Sequence, residues 1–302
     1  MASRNRTGAV AMRISRTARR GAEMSRVLKR WSVVLPAAVA ILAGCGGSGG
    51  APNNQVTHQL TQAAYVTDQE PGFDFLMTVT LRGGGQSGGF TAHGAINSHR
   101  QEGTITETIQ NQTLLSLIKR PYIYVRIPNT PNAPVQTPWA RANLDAVSGQ
   151  SFGLSLGAGS TDPTQTLALL GASGHVVNVG TQQVNGVSTT HYHAAVDLGR
   201  LASVVPAAQR AAAQRTAQVV KRVSGSTTLP MDVWVDAHQL VRRLGVQIGL
   251  CTPNGRATES VVFDILRFVN PPSVSLPPPR QVTDITQRLA AQSAQALQSL
   301  KC

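Results

Sequence analysis

Four sets of polar side chains are of the types that catalysis or ligation requires, and their spacing limits what each can do. Gly153-Leu154-Ser155-Leu156-Gly157 fits G-x-S-x-G, the strained turn that presents a nucleophilic serine between a strand and a helix. Here a Ser/Gly segment precedes it and Ala158-Gly159-Ser160-Thr161 follows, so a loop is expected and no catalytic residue is assigned. His191 and His193 stand two apart and would project from one face of a strand. Two imidazoles begin a metal site, but no adjacent cluster of Cys, Asp or Glu completes it, and Asp197 lies two further steps along. A polar outer face is expected, with no metal. Asp232 and Asp236 flank Trp234 on one parity while Met231, Val233 and Val235 take the other, so alternation accounts for the carboxylates without acid–base chemistry. Trp234 is expected to pack under a helix or to line a cavity. Arg242 and Arg243 point to opposite faces, and one of them is a candidate for a lipid phosphate.

The most specific chemistry sits near the N-terminus. Arg26, Lys29 and Arg30 precede an apolar run from Trp31 to Leu42, whose twelve residues span about 18 Å as a helix, short of the roughly 30 Å hydrocarbon core. That is the pattern of a cleaved signal rather than a permanent span. Leu42-Ala43-Gly44-Cys45 then matches the lipobox of bacterial lipoproteins, in which cleavage follows Gly44 and the Cys45 thiol carries acyl chains such as palmitate. Two chains anchor stably where one does not. Residues 1–44 are therefore expected to be a signal peptide, with Met24 an alternative start, and residues 45–60 a lipidated flexible tether opening on Gly46-Gly47-Ser48-Gly49-Gly50. With Cys45 acylated, Cys251 and Cys302 remain as a possible disulfide in an oxidising compartment. It would close a loop of about 50 residues, worth roughly 4 kcal/mol in the loop-entropy account.

The leader also distorts the charge balance. The 302 residues carry a formal +13, yet nine of the 27 basic residues and one of the 14 acidic ones precede Cys45, which leaves 18 against 13, or +5. The exported 258 residues contain no basic block with interleaved aromatics, which argues against nucleic acid as a partner. Aromatics are 4 %, so the core must rest on Val, Leu, Ile and Ala.

The elements that must position these residues read mostly as strands. Phe75, Met77, Val79 and Leu81 alternate with Leu76, Thr78 and Thr80; strands follow over Phe90–Asn97, around Ile105 and Ile109, and over Leu114–Ile118 and Tyr122–Ile127. Pro128 to Pro138 forms a loop, and Asp162-Pro163 opens a short helix through Leu170. Val176–Val184 and Thr189–Leu198 flank Asn185-Gly186, a strong hairpin signal. A helix over Pro206–Val223, strands over Met231–Asp236, Leu240–Leu250 and Ser260–Val269, and a final amphipathic helix over Ile285–Leu300 complete the chain. The count is about ten antiparallel strands.

Val184-Asn185-Gly186-Val187, Thr189-Thr190-His191-Tyr192, Val196-Asp197-Leu198 and above all Leu229-Pro230-Met231-Asp232-Val233-Trp234-Val235-Asp236, followed by Leu240-Val241-Arg242-Arg243-Leu244, resemble the LolA-like (LppX/LprG-type) lipoproteins of actinobacteria. Pro138-Trp139-Ala140-Arg141 is similar to that family's short Pro-Trp element. The resemblance implies an α+β domain over residues 61–302: a strongly curved antiparallel sheet, a half-open barrel, with helices on its concave side. It also implies an apolar space between sheet and helices that holds lipid or acylated ligands. Candidate lining residues are Phe75, Met77, Val79, Val233, Trp234, Val235, Leu244, Val246 and Ile248, with the helix Pro206–Val223 as lid. The expected function is non-enzymatic and without cofactor: binding or carriage of apolar ligands by a protein anchored through Cys45 to the extracytoplasmic face of the cell membrane. The alternative is a structural or sensor lipoprotein with a filled core and no ligand.

Overall fold

The computed structural model describes residues 54–109, 112–128, 137–147, 170, 173–205, 207 and 210–299. The short helix expected at Asp162, most of the Pro128–Pro138 loop, the signal peptide and its cleavage site lie outside them.

Twelve strands form one unclosed, curved sheet: β1 (Gly72–Gly83), β2 (Gln86–Asn97), β3 (Glu102–Ile109), β4 (Gln112–Lys119), β5 (Tyr122–Arg126), β6 (Trp139–Asn143), β7 (Ser173–Val184), β8 (Val187–Asp197), β9 (Thr228–Asp236), β10 (Val241–Thr252), β11 (Gly255–Phe268) and β12 (Val282–Asp284). Their order is β12-β6-β5-β4-β3-β2-β1-β11-β10-β9-β8-β7. The first half of the chain is thus one meander and the second half another, and they meet where β1 runs antiparallel to β11 from Phe73↔Phe268 to Gly83↔Ala257. The α+β class and the curved antiparallel sheet agree with expectation. Two strands exceed the expected ten, β6 and β12. They are five and three residues long, and β12 joins β6 in parallel, the one parallel pairing among the described strands.

Strand length follows from alternation. β9 reads Leu229, Met231, Val233, Val235 buried against Pro230, Asp232, Trp234 less so, and β10 repeats the pattern through Leu244, Val246, Ile248 and Leu250. The β7–β8 hairpin turns on Asn185 and Gly186 at φ of 50° and 81°, the paired left-handed geometry that Asn-Gly supplies at least cost.

Five helices are described: α1 (Asn54–Asp68), α2 (Leu144–Val147), α3 (Leu198–Val204), α4 (Arg210–Ser224) and α5 (Thr286–Ser299). The tether was expected to reach residue 60, but α1 starts at Asn54 and buries Leu60, Ala63 and Ala64. Thr67 ties it to the sheet: its hydroxyl donates to Ala63 O at 2.7 Å and accepts from Val241 N at 2.9 Å. Asp197, weighed above as a distant ligand, instead caps α3 by accepting from Gly199 N. The helix expected over Pro206–Val223 is α4, shifted toward the C-terminus. Lys221 and Arg222 occupy its last turn, favourable at the negative end of the helix dipole, and Gly225 at φ 79° closes it by donating to Lys221 O.

Candidate functional site

The inner face of the sheet is assembled by register. Ala194, Met231, Val246, Val261, Val79 and Phe90 stand side by side across β8, β9, β10, β11, β1 and β2. The adjacent row brings Val233, Leu244, Phe263, Met77 and Ala92 together. Phe75 stacks on Phe263 with ring centroids 4.9 Å apart, and Phe73 meets both rings edge-on. Of the nine expected lining residues, Phe75, Met77, Val79, Val233, Val235, Leu244, Val246 and Ile248 all lie on this face, each at most 7 % exposed. The helices cover it with small side chains: α4 contributes Ala213, Ala217, Val220 and Val223, one helical turn after another, and α1 adds Leu60, Ala63 and Ala64 to the same cluster. Such a surface holds hydrocarbon by area alone, about 0.8 kcal/mol for each methylene removed from water. Met231, Val261 and Phe263 belong to it and were not among the expected lining residues. Their strands were legible, but the neighbours that place them on this face come from register.

Two acids break the apolar face. Glu259 on β11 stands between Leu81 of β1 and Ile248 of β10, is 3 % exposed, and leaves its Oε1 without a hydrogen-bond partner among the described residues. Burial pushes its carboxyl up to about 7. Glu107 on β3, opposite Ala92 and Leu114, is also raised by burial. Sequence reading missed both; a single acid at an apolar parity is the signal that would have shown them.

Trp234 is the correction. It lies on the outer face, where the β8–β9 register sets it against His191. The indole stacks on that imidazole at 4.2 Å with an interplanar angle of 6°, donates from Nε1 to Gln182 Oε1 at 2.8 Å, and has the Arg243 guanidinium 5.7 Å from its centroid. The parity that separates it from Val233 and Val235 sends it there, and the aromatic surface is satisfied by stacking rather than by a helix. His191 Nε2 and His193 Nδ1 both contact Asp232 Oδ1, at 2.9 and 3.1 Å. Among the described residues no group of His, Cys, Asp and Glu is placed to hold a metal ion.

The remaining candidates are spoken for or out of view. Asp236 holds the β9–β10 turn by accepting from His238 N and Leu240 N, and it pairs with Arg242 at 2.7 Å. Arg243 forks onto both oxygens of Asp264, which raises the guanidinium above its ordinary range. Neither arginine is therefore unpaired for a phosphate. Cys251 is disulfide-bonded; its expected partner Cys302 lies outside the described residues, as do Gly44, Cys45 and the Gly153–Gly157 motif. None of the described helices is long and apolar enough to cross a membrane.

No protein-family model matches the chain, and no curated protein matches it. Solved structures do. The lipoprotein LppX of Mycobacterium tuberculosis is 12 % identical over 74 % of this chain and 100 % of its own, with a TM-score of 0.48. LprF from Mycobacterium bovis is 14 % identical, covering 76 % and 99 % of the two chains with a TM-score of 0.42. An outer membrane lipoprotein-sorting protein domain from Vibrio parahaemolyticus, named as such by its description, is 9 % identical over 73 % and 94 %, with a TM-score of 0.28. What this chain does is argued below from its own residues.

Proposed function

We propose that the chain is a membrane-anchored, non-enzymatic lipoprotein that binds or carries lipids or other apolar ligands. The lipobox at Leu42–Cys45 supports anchoring through acylated Cys45 on the extracytoplasmic face, after removal of residues 1–44. The observation that carries ligand binding is the unbroken apolar row from Ala194 to Phe90, six strands wide, covered by helices that meet it through alanine and valine. An acyl chain laid along such a row needs few polar contacts, and the anchor keeps the protein beside its source. The helix α4, with arginine, lysine and glutamine on its other sides, is the lid of this reading.

A second reading has its own support. The eight inner residues are at most 7 % exposed, covered by the chain's own side chains as in a filled core, which favours a structural or sensor lipoprotein. Mass spectrometry of the full chain purified from its native membrane separates the two. Carriage expects a processed N-terminus beginning at acylated Cys45 and about one non-covalent lipid per chain. It also expects at least a tenfold fall in that lipid in Ala217→Trp, whose indole would take the volume that carriage reserves for the ligand under α4, at an overpacking cost of about 1–3 kcal/mol. Wild type without stoichiometric lipid leaves the filled core.

A further inference from the structure

The other three acids that are almost fully buried among the described residues each have an arginine. Glu102 is held by Arg100, whose guanidinium keeps the carboxyl below its ordinary range; Asp236 has Arg242, and Asp264 has Arg243. Glu259 has none. The inner faces of the three strands around it carry Phe75, Met77, Val79 and Leu81 on β1, Leu244, Val246, Ile248 and Leu250 on β10, and Ala257, Val261, Phe263 and Ile265 on β11. The helical side chains that cover this face are Leu60, Ala63 and Ala64 of α1 and Ala213, Ala217, Val220 and Val223 of α4. None is charged. Desolvation alone accounts for the raised carboxyl, and the other acid on the inner face, Glu107, is three strands away.

The row that holds Glu259 has a direction. Across β2, β1, β11 and β10 it reads Gly88, Leu81, Glu259 and Ile248. Gly88 is exposed, and a Cβ built there would meet nothing within 4 Å; Leu81 is half-buried; Glu259 and Ile248 are buried. The row thus runs from an exposed end at Gly88 to, two strands in, a carboxyl oxygen with no partner. A leucine there would complete the apolar face, whereas a buried polar atom left unpaired costs stability.

We propose that Glu259 is the polar anchor of the ligand space, and that the ligand is a neutral lipid bearing a free hydroxyl group, a long-chain alcohol or a partial acylglycerol. The proposal rests on the ligand-binding reading above. A hydroxyl pairs with Glu259 in either protonation state: it donates to the carboxylate and accepts from the carboxylic acid. In the acid form no charge is buried; in the carboxylate form the hydroxyl supplies the hydrogen bond that the anion otherwise lacks. A phosphate or a fatty-acid anion would set like charges together in apolar surroundings, so anionic amphiphiles are selected against.

The test uses the full chain in amphipol with two radiolabelled probes of equal chain length, oleyl alcohol and methyl oleate, at pH 5.5 and 8.5. The ester accepts hydrogen bonds and donates none. Wild type is expected to prefer the alcohol by roughly tenfold at pH 8.5, the worth of one charge-assisted hydrogen bond, and by much less at pH 5.5, where the neutral acid donates to either probe. Glu259→Leu should bind both probes equally at both pH values, and Glu259→Gln should lose the pH dependence while still binding both. Equal binding by wild type at pH 8.5, or a preference that survives in Glu259→Leu, overturns the anchor and leaves lipid binding standing. Failure of wild type to bind either probe overturns both.

Discussion

Strand β11 carries two buried acids, five residues apart and on opposite faces of the sheet. Asp264 faces outward and lies in a bidentate fork from Arg243, which itself sits over Trp234; Glu259 faces inward among Leu81, Ile248 and Val261 with an oxygen unpaired. Burial is nearly the same, 7 % and 3 % exposed, so the difference is one of partners. The outer face of β7 to β11 is a polar–aromatic ladder in which His191, His193, Asp232, Trp234, Gln182, Arg243 and Asp264 contact one another, with His191 Nδ1 left without a partner among the described residues. The inner face of the same strands satisfies nothing polar. On the outer face each buried charge has a counter-charge, whereas on the inner face Glu259 has none, and a buried polar group without a partner costs stability.

The largest expected effect comes from the inner acid. Glu259 titrates near 7 in the folded chain against an ordinary 4.5, so between those values the native state keeps a proton that the unfolded chain has lost. Stability from this group is therefore full below about pH 4.5, falls as the pH rises to 7, and is flat above. Relative to Glu259→Gln, wild type should lose roughly 3 kcal/mol between pH 4 and pH 8 in denaturant unfolding. Parallel curves for the two proteins would erase the contrast between the faces.

Next comes the outer pair. Asp264→Asn leaves the Arg243 guanidinium partly buried without its counter-charge, and a loss of about 2 kcal/mol is expected at neutral pH, reduced from the fully buried case because Arg243 is partly exposed. Lipid recovered with the chain should not change. The smallest effect is Trp234→Ala, about 1 kcal/mol for the lost stacking on His191, again with lipid content unaltered. A Trp234→Ala chain that no longer retains lipid would return the indole to the inner wall and sink the assignment of faces.

Much of this was legible beforehand because it is local. Period-two alternation marked Phe75, Met77 and Val79 and the β9 and β10 residues as one face, and the Asn185-Gly186 turn declared its hairpin. Trp234 departs from its expected place under a helix or against a cavity, although its own parity already sets it opposite Val233 and Val235. The helix α1 was hidden because its buried stripe of Val56, Leu60, Ala63, Ala64 and Thr67 is built from small side chains that read as linker. β12 is three residues long and owes its existence to pairing with β6, far away in the chain.

By itself the sequence determined the strand segments and which side chains share a face, since each depends on residues within a few positions of one another. Tertiary structure alone decided which strands stand side by side. Placing β11 against β1, nearly two hundred residues apart, puts Glu259 between Leu81 and Ile248, and the β10–β11 register gives Arg243 to Asp264 and leaves Glu259 without a cation. Whether a buried acid is satisfied depends on what lies within about 3 Å of it, and in a sheet those neighbours are set by register between distant segments.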